Sequence, residues 1–445
     1  MRLPFRPDPT ILALWWPLAA SSVLMSAEIP FVNSGIARTP NPELALAGFG
    51  LAISLAFIAE APIVMLNGAA AALSRDYPTY KRLEHFTLGL CVFATTVHFL
   101  LTFTPLYELI VMRWMGVPAA VAAACLPALR IFIFWPAPIG WRRFHQGLLI
   151  RRRRTQFISI GTIVRLSVTV SLTLLTIFVL RLPGETAGAA SVITAVIVES
   201  LLVSYWARRL MADEAVERYT PGVPAKPILN YRQLFQFYLP LMMVSALNIS
   251  AQPLLSTGLS NAAFPTESLA TWPTIWGLTM LIAAFCQPIQ ETTIAMAEGS
   301  SSLRRVRRFA LSIGLSAAAL LALIALTPLA DFYFGQMIGL PAALRAFANP
   351  AIRIMVAYPL LMAVEMMLRG VLITRQRTSS VRLAMAANIL TLCAAIFAGG
   401  ALHWGTGVVV AALAVNLAIV CEIAVLAWQA VPVLHEMRQT MPQVS

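Results

Sequence analysis

Charge is what this chain has least of: Asp, Glu, Lys and Arg make up 11% of its 445 residues, against about a quarter in soluble domains. Hydrophobic residues make up 59%, so water is not its only solvent. Lysine is nearly absent, found only at positions 81 and 226. The five cysteines, Cys91, Cys125, Cys286, Cys393 and Cys421, are odd in number, scattered and inside apolar runs, which excludes a disulfide framework. The histidines, His85, His98, His145, His403 and His435, have no paired spacing, so neither a metal site nor a catalytic dyad is expected. No phosphate-binding GxxxxGK[ST] loop occurs, which argues against ATP hydrolysis. No enzyme motif is present and no cofactor is expected. No cleavage site follows Arg2 and Arg6, so the first apolar run is expected to be retained.

Long apolar runs are what the sequence has instead. A helix needs about 20 mostly apolar residues to cross a bilayer core. Twelve such spans are expected, near 10–35, 45–73, 85–105, 118–147, 156–181, 187–208, 231–258, 268–296, 309–330, 339–373, 380–402 and 407–432. The runs are continuous rather than alternating, which predicts an all-helical polytopic membrane protein and not a barrel. With twelve spans, 22 basic loop or terminal residues fall on one side, including Arg151 to Arg154 and Arg304, Arg305, Arg307 and Arg308, against 4 on the other. Basic loops stay cytoplasmic, so both termini are expected inside. The net charge of +13 is therefore a matter of topology and anionic lipid headgroups rather than nucleic acid.

The chain repeats itself at an offset of 223 residues without gaps. Pro17-Leu18 falls on Pro240-Leu241, Ser22 on Ser245, Pro30 on Pro253, Gly35 on Gly258, Arg130 on Arg353, Pro136 on Pro359, Gly147 on Gly370 and Glu199 on Glu422. Two bundles of six spans follow, entering the membrane in the same direction. The expected division is 1–210, a polar linker at 211–230 and 231–445. Pro17, Pro30, Pro240 and Pro253 predict kinks in spans one and seven, near Ser26, Asn33, Ser245, Asn248 and Gln252.

Ionisable residues inside spans are the informative ones, because each costs about 2.5–3.5 kcal/mol at a helix centre. Arg130, Arg142, Arg143, Arg165, Arg353 and Arg369 face Glu28, Glu60, Glu199, Glu291, Glu365 and Glu422. They either pair off as structural ion pairs, with Glu365 and Arg369 spaced i,i+4 for this, or leave some arginines to bind an anion in a water-filled pathway. Arg130 and Arg353 are the first candidates for anion contact, since the repeat puts them at matching depths. Arg165, Arg142 and Arg369 come second. Glu60, Glu199 and Glu422 are candidates for carrying a coupling proton, with sodium the other coupling ion to consider.

Several motifs resemble the progressive ankylosis (ANKH) transporters: Asn33-Ser34-Gly35-Ile36-Ala37, LAGFGLAISL at 46–55, Ser74-Arg75-Asp76, LRIFIFWPAP at 129–138 and PLMMVSALNISAQP at 240–253. The resemblance covers most of the chain. It implies the multidrug/oligosaccharidyl-lipid/polysaccharide (MOP) flippase superfamily, a two-lobed fold like that of multidrug and toxin extrusion (MATE) carriers, and export of pyrophosphate, nucleotides such as ATP, or citrate. It also places Asn33, Gly35 and Arg130 near the pathway. Ser34 and Arg165 depart from the pattern of animal members, where arginine and an acidic residue stand, so the cargo is expected to differ. Together with the lack of lysine this suggests a monomeric bacterial relative in the inner membrane. A cationic drug antiporter, using Trp135, Trp141, Trp272 and Trp276, and a lipid-linked precursor flippase are the rival functions.

Overall fold

The structure is a computed structural model that describes residues 9–74, 77–152, 154–217, 230–296, 300–374, 377–402 and 404–439. The described chain is helical. Its first half contains α1 (Pro9–Ile36), α2 (Pro42–Glu60), α3 (Leu66–Leu73), α4 (Tyr77–Phe103), a π-helical turn Glu108–Trp114, α5 (Ala119–Ile131), α6 (Pro136–Arg151), α7 (Gln156–Leu174) and α8 (Gly184–Glu217). The second half contains α9 (Tyr231–Ser260), α10 (Pro265–Ala283), α11 (Ile289–Met296), α12 (Ser300–Leu326), the single turn α13 (Leu329–Asp331), a π-helical turn Phe332–Ile338, α14 (Ala342–Met355), α15 (Tyr358–Thr374), α16 (Thr378–Ala401) and α17 (Gly407–Gln439). A backbone in hydrocarbon must satisfy its own hydrogen bonds, and helices do this within one segment.

Eight of these helices are long and apolar enough to cross a membrane, and two bent pairs, α5 with α6 (42°) and α14 with α15 (41°), bring the number to ten among the described residues. Twelve were expected. The two not among the ten are 231–258, where several side chains lie outside the described residues, and 268–296, whose longer helix α10 is diluted by Thr266, Glu267, Ser268, Thr271 and Thr274. The polar linker expected at 211–230 begins as helix, because α8 continues through Glu217 on good helix formers. Residues 218–229 lie outside the described ones, as do Arg75 of the Ser-Arg-Asp motif, His403 and the side chains of Pro17, Pro240 and Asn248.

The 223-residue repeat recurs in the backbone. Asn41 (φ 57°) and Phe264 (φ 55°) both take the left-handed conformation before a proline that opens α2 and α10. Gly116 (φ 68°) and Gly339 (φ 87°) both follow the π-helical turns. Asparagine tolerates the left-handed region and phenylalanine does not, at a cost of about 1–2 kcal/mol. Phe264 is 55% exposed and its ring meets Phe347 edge-on. Phe264→Asn is therefore expected to stabilise the protein by about 1 kcal/mol, read as a raised thermal midpoint in detergent.

Breaks fall at equivalent places too. Turns at 61–65 and 284–288 separate α2 from α3 and α10 from α11, and the bends described above precede Pro136 and follow Met355. Kinks were expected in spans one and seven; α1 stays helical through Pro30 and α9 through Pro253, with which a kink is compatible. The interrupted spans are the second, fourth, eighth and tenth.

The chain forms two compact units, Thr39–Ser256 and Met1–Arg38 with Thr257–Ser445. Relative to the division 1–210, 211–230 and 231–445, each half has given its first helix to the other unit. The reason is visible in the hydrogen bonds. Trp15 Nε1 on α1 donates to the Phe285 carbonyl at 3.0 Å, and the hydroxyl of Tyr238 on α9 donates to the Pro62 carbonyl at 2.7 Å. Positions 15 and 238 are repeat equivalents, as are 62 and 285. Each first helix thus satisfies a carbonyl at a break in a span of the opposite half. Trp15 also sits with Ile11, Ala19, Val306 and Phe309 in a buried core. Arg38 holds the other end of α1, donating to the carbonyls of Ile338 (3.0 Å), Gln336 (2.8 Å) and Met337 (2.9 Å) at the end of the second π-helical turn.

Candidate functional site

Three groups of charged residues lie within the spans. The first is buried in the unit Thr39–Ser256, where α6, α7 and α8 meet. Arg142 Nη1 contacts Glu199 Oε2 at 2.8 Å, and Arg165 Nη1 contacts the same oxygen at 3.5 Å. Gly161 lets α7 approach, since a Cβ there would lie 3.4 Å from Glu199 Cγ and 2.9 Å from Val203. Glu199 is fully buried, yet its Oε1 and the Arg142 Nε have no hydrogen-bond partner among the described residues. Arg143, half-buried beside Arg142, likewise has an unpartnered Nε. Guanidinium outnumbers carboxylate here.

The second group belongs to the other unit, on α15, α16 and α17. Arg369 Nε donates to Glu422 Oε1 at 3.0 Å, and its Nη2 contacts the same oxygen as well as Glu365 Oε1 at 2.7 Å. Asn388 Nδ2 donates to Glu422 Oε2 at 2.9 Å. Carboxylate outnumbers guanidinium here. The expected i,i+4 pair of Glu365 and Arg369 is present.

These groups occupy the same four repeat positions. Arg142, Gln146, Arg165 and Glu199 stand where Glu365, Arg369, Asn388 and Glu422 stand in the second half. Sequence reasoning matched Glu199 with Glu422 but missed that the same offset sets Arg142 against Glu365. That register was the signal that could have found it.

Arg130 and Arg353 form the third group. Both are exposed, each in the last turn of the first segment of a bent span, at the C-termini of α5 and α14. Among the described residues neither makes an ion pair. The Arg130 guanidinium lies 5.6 Å from the ring centre of Phe103. On each helix the exposed face leading to the arginine is equivalent: Ala120, Ala123 and Pro127 on α5, and Ala343, Ala346 and Pro350 on α14.

The remaining candidates are buried in packing. Glu60 accepts a hydrogen bond from Trp135 Nε1 at 3.1 Å, which joins the end of α2 to the bend before α6. Asn33 donates to the Pro273 carbonyl at 3.3 Å, and Gly35 is buried at the end of α1. Of the tryptophans, Trp135 and Trp272 are buried, Trp276 stacks on Trp272 at 5.8 Å, and Trp141 lies 5.0 Å below the Arg208 guanidinium. No group of His, Cys, Asp and Glu that could hold a metal occurs among the described residues.

No protein-family model matches the chain. Solved structures do. An inward-facing multidrug resistance MATE family transporter of the MOP superfamily matches with a TM-score of 0.70 at 14% identity, over 97% of this chain and 99% of that one. An outward-facing MATE family transporter of that superfamily matches at 0.61 and 17% identity, over 98% of each chain. A MOP superfamily transporter from Pyrococcus furiosus Vc1 (DSM3638), described as having a binding pocket of reversed polarity that suggests a different function, matches at 0.57 and 14% identity, over 98% of this chain and 100% of that one. At such identities the likeness is one of fold. The chain has the multi-pass, all-helical MATE-like fold of the MOP superfamily transporters.

Proposed function

We propose that this protein is a secondary transporter that exports small polyvalent anions, such as pyrophosphate, nucleotides or citrate, by alternating access, with Arg130 and Arg353 as anion contacts. The observation that carries this is the opposite fate of the charges within the spans. Glu199, Glu365 and Glu422 are buried on guanidiniums, and Glu60 is buried on Trp135. Arg130 and Arg353 are exposed and form no ion pair among the described residues. The accessible charge they offer is a planar donor fork suited to carboxylate and phosphate. Glu291 on α11 is the exposed carboxylate of the set, and glycine stands at its repeat position, 68. A cationic drug would want accessible carboxylates and aromatics, and most of these are consumed in packing. The motif resemblance to progressive ankylosis transporters supports the same cargo class. The basic loops support cytoplasmic termini in a bacterial inner membrane.

Flux in proteoliposomes tests this, with pyrophosphate, ATP, citrate and a cationic dye as cargoes. Each of Arg130→Ala and Arg353→Ala is expected to lower anion flux about tenfold or more, in line with a charge-assisted hydrogen bond of about 1.5–3 kcal/mol. Dye movement without anion movement overturns the anion reading. Full anion flux in both variants overturns the site.

A further inference from the structure

The polarity reversal between the two buried clusters has a chemical consequence at Glu365. Both carboxyls of the second cluster reach one nitrogen, Arg369 Nη2, and so lie side by side. Asn388 occupies the other oxygen of Glu422. Glu365 is 6% exposed and Glu422 1%. Two ionised carboxylates held against one nitrogen are both acceptors and repel, and a proton on one of them removes the repulsion. One guanidinium neutralises one carboxylate, so the second remains uncompensated in a buried site unless it is protonated.

Among the described residues no second cation contacts the pair, and Arg382 of α16 is exposed in the opening turns of that helix. The electrostatic neighbours of Glu365 are Arg369 on its own helix and Glu422 on α17, with Tyr358 of α15 beside them. From α16 comes the uncharged Asn388. The charged residue of α11, Glu291, is exposed. That of α10, Glu267, lies in its first turn, and the charged residues of α12, Arg304, Arg305, Arg307 and Arg308, lie in its opening turns. In the first cluster the opposite holds: Glu199 faces more than one guanidinium.

We propose that the Glu365–Glu422 pair is a proton-binding site, which holds one proton between the two carboxyls and exchanges it with solvent during the transport cycle. Uptake converts two carboxylates and a proton into one carboxylic acid hydrogen-bonded to one carboxylate, leaving the cluster neutral with Arg369. The inference rests on the transporter reading for its role in a cycle, but the proton itself does not depend on the cargo.

Infrared difference spectroscopy on the full-length protein in liposomes tests it, by following the carbonyl stretch of protonated carboxylic acids while pH is raised. The wild type is expected to lose one such band. Glu365→Gln and Glu422→Gln should each lack it, whereas Glu199→Gln should retain it. Absence of a titrating band in the wild type, or its persistence in a folded Glu365→Gln or Glu422→Gln protein, overturns the site. In parallel, an imposed pH gradient should alter pyrophosphate flux in the wild type at least severalfold more than in Glu365→Gln. Wild-type flux indifferent to the gradient overturns the exchange. No pyrophosphate, ATP or citrate flux alongside a normal band overturns the anion reading and leaves the proton site standing.

Discussion

Glu199→Ala is expected to destabilise the protein by about 3–5 kcal/mol, because it leaves buried guanidiniums without their carboxylate. Arg142 and Arg165 both contact one oxygen of Glu199, and the side chain of Arg142 is 4% exposed. The variant should show a thermal midpoint many degrees lower in detergent, measured by fluorescence-detected size exclusion, and a reduced yield. Arg142→Met should cost less, since Arg165 still compensates Glu199. Adding Arg142→Met to Glu199→Ala should recover part of the loss, the non-additivity expected of groups in direct contact. A Glu199→Ala protein as stable as the wild type would show that the ion pair does not form.

Gly147→Leu and Gly370→Leu should each prevent a stable fold, and the alanine variants should lose about 2–3 kcal/mol. A Cβ at Gly147 would run into the Asn67 carbonyl oxygen and lie 2.6 Å from Ala70 Cβ. A Cβ at Gly370 would lie 2.9 Å from the Gln290 carbonyl oxygen and 2.6 Å from Thr293 Cβ. Positions 67 and 290 are repeat equivalents, as are 70 and 293, so one close approach is built twice: α6 on α3, and α15 on α11. A backbone oxygen cannot rotate away as a side chain can, so the short helix must shift as a whole. Thermal unfolding of the two alanine variants checks this, and equal losses are expected. Wild-type stability at either site would mean that the helices do not meet as described.

The helical class and the repeat were legible in the sequence because both are statistical properties of side chains: continuous apolar runs and residue identities in register. The breaks at 61–65 and 284–288 were not. Pro62 and Pro288 flag them, but they are not repeat equivalents, so the duplication that exposed so much else concealed the shared interruption. The ion pairs were half legible. The i,i+4 spacing of Glu365 and Arg369 lies within one helix, while Arg142 and Glu199 are brought together from α6 and α8 by packing that no local pattern encodes. Arg130 and Arg353 were chosen for equal depth, and both stand exposed at equivalent bends. Glu60 was chosen as an isolated carboxylate in an apolar run. Its indole partner, Trp135, is 75 residues away and had been assigned to a different role.

The exchange of first helices between the units sets the order in which this protein can be completed. Residues emerge from the ribosome in sequence, so α1 enters the membrane long before the segment that receives Trp15 and Arg38 has been made. It must wait, unpaired with its eventual neighbours, through more than half of synthesis. The unit Thr39–Ser256 closes only when α9 arrives, after the linker. A chain cut between residues 211 and 230 would therefore yield two fragments, neither of which contains a whole unit. Each should be unstable alone, and the two together should reassemble, since each carries the helix that the other lacks.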